Sequence, residues 1–232
     1  MIKNTHRKYM IGEKRLPSVT EILGIVSKPY LISWANRMGL KGVDIREYNA
    51  ELADLGTVVH GKIEAYYQRH YHSVFDDSQY PDVVRQKSDE LFGKFLGWES
   101  GRDIYPIFTE LPMICSRFGG TIDAVVEMDE KITIIDWKTS KEIYPEYFGQ
   151  LSAYLYLMRL GYPADGGNEQ DVYDIGQKIE QVAIVQIPKD GEPASRIIPV
   201  KSDEFKVAWE FFSASLKLYN AEKEISKLKS PR

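Results

Sequence analysis

Two charged side chains stand one residue apart at the end of an apolar run: Asp136 and Lys138, in TIIDWKTSK (residues 133–141). On a strand, residues i and i+2 share a face. A carboxylate beside an ammonium is either an exposed ion pair, worth ~1 kcal/mol or less, or a small chemical unit. The preceding run, GGTIDAVVE, carries Asp123. If the two runs form a hairpin through MDEK (residues 128–131), Asp123 and Asp136 fall on neighbouring strands near its open end. Two carboxylates that close repel unless one is protonated or a cation lies between them. A hard divalent ion, Mg²⁺ or Mn²⁺, suits such oxygen ligands. Lys138 beside it could orient or deprotonate a water, or offset charge on a phosphate oxygen.

Two further pairs have helical spacing. In LGTVVHGKIEAYY, His60 and Glu64 are i, i+4 and share a helix face, with Gly56 one turn earlier leaving room for a ligand. A histidine ligand would favour tolerance of Mn²⁺; otherwise the two are polar residues on a helix surface. In YFGQLSAYLYL, Gln150 and Tyr154 are again i, i+4. Gln150 suits contact with a nucleotide and Tyr154 contact with a base or phosphate, although Tyr154 also falls on an apolar stripe with Leu151, Leu155 and Met158.

Taken in order, HGKIE, GGTID, IIDWKTSK and QLSAY resemble the RecB-type branch of the PD-(D/E)XK nuclease superfamily. The likeness is to free-standing phage or mitochondrial-type exonucleases without an iron–sulfur cluster. It implies an α/β (α+β) core, a mixed central sheet flanked by helices, with the active site at one end. It implies that His60, Asp123, Asp136 and the backbone carbonyl of Trp137 ligate Mg²⁺ or Mn²⁺. Lys138 would be the catalytic lysine, acting with Asp123 and Asp136, while Gln150 and Tyr154 fill the Q-x-x-x-Y motif. Glu110, in FTELPM, matches a glutamate common on the first strand, and Glu64 would support the ligands from behind. The implied partner is DNA, as single strands or duplex ends, in recombination, repair or replication.

The elements that must carry these residues follow from periodicity and punctuation. Helices are predicted at LPSVTEILGIV with Ser18 or Thr20 as cap, at PYLISWANRMG, over 48–70, over 82–99, over 145–160 and from Ser202 to Lys229. Gly56 and Gly61 suggest a close approach to the third helix, or a break in it. Strands are predicted at IYPIFTELPMIC, GGTIDAVVEM, KITIIDWKTS, QVAIVQIPKD and SRIIPVK. Residues 161–178 read as a surface loop, and 70–81 as a loop long enough for a lid. The expected organisation is one nuclease domain over 1–232: a helical region (1–50), a catalytic core (51–200) and a C-terminal helix (201–232).

Composition, 43% hydrophobic and 28% charged, is that of a soluble globular chain, and no apolar run approaches ~20 residues. The first residues lack the apolar stretch of a secretory signal. The single cysteine, Cys115, excludes an internal disulfide or a four-cysteine cluster. A reducing cytoplasm is the expected setting, the host's if the chain is phage-encoded. There is no G-x-x-x-x-G-K-[ST] phosphate loop. A net charge of −4 argues against holding nucleic acid by bulk charge. Residues 3–15 are locally basic and read as a solvated tail or a phosphate-touching arm. Trp34, Trp98, Tyr66 and Tyr67 could stack on bases or fill the core.

Overall fold

The computed structural model describes residues 7–68 and 74–229. Part of the basic segment is a hairpin, β1 (Tyr9–Ile11) and β2 (Lys14–Leu16), turned at Gly12. Lys3 lies outside the described residues. The hairpin is anchored because Tyr9 and Leu16, paired across it, are both buried, and the Tyr9 hydroxyl lies 2.8 Å from Thr121 Oγ1. Short helix α1 (Val19–Leu23) follows, with Ser18 Oγ accepting from the Glu21 N–H at 2.9 Å as cap. Next come α2 (Pro29–Leu40), α3 (Ile45–Tyr67) and α4 (Asp82–Glu99).

Three antiparallel strands then form a meander: β3 (Ile104–Ile114), β4 (Gly119–Met128) and β5 (Lys131–Lys138). The β4–β5 turn places both Asp129 and Glu130 at positive φ, 51° and 62°, the twist a two-residue hairpin needs. Helix α5 (Pro145–Leu160) crosses over, so that β7 (Ile179–Gln186) pairs with β5 in parallel. β8 (Ala194–Pro199) returns antiparallel, and α7 (Asp203–Lys229) closes the described chain with Ser202 Oγ accepting from the Phe205 N–H.

Residues 161–178 correct the loop reading. They hold a two-residue strand, β6 (Tyr162–Pro163), and a helix, α6 (Glu169–Lys178). Asn168 caps α6 through the N–H groups of Gln170 and Asp171, and Gly176 lets it sit on α5: an added Cβ there would fall 2.2 Å from the Met158 carbonyl oxygen. The polar composition concealed a helix that buries only Val172 and Gly176.

The six-stranded mixed sheet, ordered β6-β3-β4-β5-β7-β8, divides two apolar layers. On one side α1, α5 and α7 pack through residues such as Leu151, Leu157 and Phe212. On the other, α3 and α4 pack through Leu55, Val59, Ile63 and Phe95. Helix α5 is apolar on most of its circumference because it lies between the sheet and outer helices. None of the described helices is long and apolar enough to cross a membrane.

Candidate active site

The site forms where two central strands part. The β4–β5 ladder stops at Ala124↔Ile135. Beyond it, β4 stays paired with β3, and β5 stays paired with β7 as far as Lys138↔Gln186. The Trp137 N–H, turned toward β4, donates instead to the Asp123 side chain, 2.9 Å to Oδ2. Opposite Asp123 in the β3 register stands Glu110, whose φ is 46°. A left-handed glutamate within a strand costs about 1–3 kcal/mol. Ile122 and Val125 feed the same core, although residues three apart on a regular strand face opposite ways. The sheet thus changes phase at the row holding Glu110 and Asp123.

Helix α3 supplies His60. Its Nε2 lies 3.1 Å from the Trp137 carbonyl oxygen and its Nδ1 3.6 Å from Asp123 Oδ2. His60, Glu110 and Asp123 can each direct one ligand atom to within 4.8 Å of the others. Asp136 is fully buried. The Lys138 ammonium is 2.6 Å from its Oδ2, but neither carboxylate oxygen accepts a well-angled hydrogen bond from the described residues. Lys138 Nζ also donates to Gln150 Oε1 at 3.2 Å and lies 4.8 Å from the centre of the Tyr147 ring. Gln150 Nε2 in turn donates to the Tyr154 hydroxyl at 2.7 Å.

Electrostatics follow from this crowding. Burial, then repulsion from Asp123 and Glu64, pushes Glu110 up to about 8. Burial pushes Asp136 up to about 6 despite the Lys138 charge, and it raises Asp123 as well. Burial and the neighbouring Lys138 ammonium hold His60 down at about 4, so its imidazole is neutral at pH 7. Burial alone would lower Lys138; Asp136 and Asp123 outweigh it and raise it. A hollow lined by the half-buried Glu110 and Asp123 carboxylates and a neutral imidazole, with the buried and under-bonded Asp136 behind them, suits a hard divalent cation, so these residues fit such an ion.

The structure brings together His60, Glu110, Asp123, Asp136, Trp137, Lys138, Gln150 and Tyr154. Glu64 lines the same cleft, of about 690 Å³, and is held by Gln68 Nε2 at 2.9 Å. Helix α3 runs unbroken past Gly56, which faces the cleft, and Gly61, where an added Cβ would meet the Phe75 ring at 2.2 Å. His70, at the end of the expected helix, lies outside the described residues. Sequence reading missed Tyr147; its place one turn before Gln150 on α5 is the signal that could have found it. Of the candidate stacking residues, Trp98 and Tyr67 are buried around Trp137. Tyr66 packs edge-on to Phe95 and donates to Glu99. Trp34 alone of the four stands clear of that core, against Tyr48.

Among solved structures, the chain is similar to one titled "Crystal structure of SSO0001", with 16% identity over 71% of this chain and 74% of that one. The TM-score is 0.29, too low to carry an argument. None of the curated proteins matches it in sequence. Residues 33–217 match the family described as the PD-(D/E)XK nuclease superfamily. That match spans most of the chain and encloses the whole carboxylate, histidine and lysine cluster, and its fold is a mixed sheet flanked by helices; the chain belongs to the PD-(D/E)XK nuclease superfamily.

Proposed function

We propose that this chain is a metal-dependent deoxyribonuclease, an exonuclease acting on single strands or DNA ends. One observation carries the reading. The parting of β4 and β5 brings His60, Glu110 and Asp123 together in a cleft, with the Lys138 ammonium beside them and Asp136 buried behind it. Mg²⁺ or Mn²⁺ would be held by His60, Asp123, Asp136 and the Trp137 carbonyl, with Glu110 adding a ligand. Such an ion, when bound, polarises a scissile phosphate and lowers the pKa of water.

The chain's own groups do the rest. Lys138 is fixed by Asp136, Gln150 and the Tyr147 face, so its positive charge is aimed before substrate arrives. It orients the attacking water and offsets charge building on the non-bridging oxygens. The Gln150–Tyr154 bond holds the Gln150 oxygen toward Lys138. Near Thr20, which also lines the cleft, Arg7, Lys8 and Arg15 surround a second hollow that suits the incoming backbone phosphates. The whole of 1–232 would act as one nuclease domain.

A catalytically silent DNA-binding or scaffold protein would have no use for an intact set of buried charges. The separating experiment is a time course on end-labelled and internally labelled single-stranded and duplex DNA. It is run with Mg²⁺, Mn²⁺ or EDTA, and with Asp136→Asn and Lys138→Ala beside the wild type. The expected result is metal-dependent loss of one end label first, reduced by about 10²-fold or more in both variants. Internal cuts in a circular strand would make it an endonuclease. Binding without cleavage would overturn the enzyme reading.

A further inference from the structure

Helix α2 is unusual for a globular chain: none of the residues of this 12-residue helix is buried, and Tyr30, Leu31, Ile32 and Leu40 are exposed. Such a surface, left to water, is unfavourable and marks a place where something docks. Between α2, α3 and Tyr144 lies a groove of about 580 Å³. Its apolar walls are chiefly aromatic. The Tyr30 and Tyr144 rings are parallel to within 6°, with centroids 6.5 Å apart, and Trp34 leans on Tyr48.

Three features identify the occupant. The groove is flanked by cations: Arg37 lines it, Lys189 Nζ lies 6.0 Å from the Tyr48 ring centre, and Lys28 Nζ, paired with Glu146 at 2.5 Å, lies 5.8 Å from that of Tyr144. The groove also adjoins the catalytic cleft, with Leu52 in the wall of both. Tyr144 packs edge-on against Tyr147, the ring beneath Lys138. Flat aromatic faces flanked by cations match a strand whose bases are unpaired. Bases stack on rings irrespective of sequence, and phosphates take the cations. In a duplex those base faces are already stacked and unavailable.

We infer that the α2–α3 groove is a stacking platform for unpaired nucleotides, with Trp34, Tyr30 and Tyr144 as its base-contacting residues, and that it feeds a single strand toward Lys138. The inference deepens the proposed function and rests on it for the direction of feeding. The binding itself can be tested apart from cleavage.

Binding of fluorescein-labelled oligothymidylate, and of a duplex of equal length, is measured by anisotropy in EDTA, where metal-dependent cleavage is off. The wild type is expected to prefer the single strand and to show quenched tryptophan fluorescence on binding. Trp34→Ala and Tyr30→Ala should each weaken single-strand binding by roughly tenfold, the order of one lost stack, with duplex binding unchanged. Trp34→Phe, which keeps a flat ring, should restore most of it and controls for folding. Unchanged single-strand affinity in a folded Trp34→Ala variant overturns the platform, as does an equal loss on duplex, which would indicate a charged surface only. Dissociation of a dimer by Trp34→Ala with no effect on oligothymidylate also overturns it and assigns the groove to self-association. If the platform fails while the labelled-DNA assay still shows cleavage, the nuclease reading stands; if stacking holds without cleavage, the platform stands.

Discussion

Glu110 carries two burdens at once: a left-handed backbone and a carboxylate pushed up to about 8 by burial and by Asp123. Glycine at this position would relieve both. In EDTA at pH 8, Glu110→Gly is expected to melt about 2–6 °C above the wild type, and Glu110→Gln to gain only the part due to charge. Both should bind Mn²⁺ at least tenfold more weakly by calorimetric titration. A lower melting temperature for both variants would mean that Glu110 contributes packing rather than strain. The residues that meet in the candidate site were largely legible because they are rare types at fixed spacing: Asp-x-Lys after an apolar run, and His-x-x-x-Glu on a helix. The weight of Glu110 was not legible. Its backbone is set by a phase change across two strands, and nothing in FTELPM records that. Tyr147 was missed for the opposite reason, since an aromatic residue on a buried helix reads as core.

At the scale of elements, the open end of the β3–β4–β5 meander holds more negative charge than its surroundings neutralise. A carboxyl whose folded pKa is raised binds protons in the folded state that the unfolded chain has already released, so stability falls as pH rises toward that pKa. His60 works in the opposite sense, but only between about 4 and its ordinary ~6.5. Above pH 6.5 its slope vanishes and those of Glu110, at about 8, and the tail of Asp136, at about 6, remain. The metal-free protein is therefore expected to lose melting temperature from pH 6.5 to 8.5, and millimolar Mn²⁺ to abolish the slope. Scanning calorimetry with and without EDTA checks it; an equal slope in both would mean that the cluster binds no ion. The meander, its turn and helix α5 were legible from alternation and apolar period. The β1–β2 hairpin and α6 were not: each buries only two residues, and a basic or polar composition outweighed that weak signal. The docking of α6 has its own test. Gly176→Ala must displace α6 from the Met158 carbonyl, an overpacking of about 1–3 kcal/mol. It should lower the melting temperature by several degrees while leaving Mn²⁺ affinity within about twofold.

The whole molecule is a sheet with an apolar layer on each face and its candidate site at one seam. An overall charge of −4 coexists with a basic hollow beside the cleft because the chain concentrates Arg7, Lys8 and Arg15 in its first segment. The broad architecture was readable, since strands interrupted by a 16-residue helix leave room for one parallel crossover. The parting of β4 from β5 was foreshadowed only as the open end of a hairpin. It depends on β5 having a second partner, β7, more than forty residues later in the chain.

The Asp123–Trp137 bond bears on how an inert version of this protein should be built. Asp123 is both a candidate ligand and the clasp that occupies the Trp137 N–H where the ladder ends. Truncating it would unfasten the sheet as well as empty the cation's seat, so a lost activity there would have two explanations. Asp136→Asn leaves the clasp shut, and for capturing the protein on uncut DNA it is the cleaner lesion.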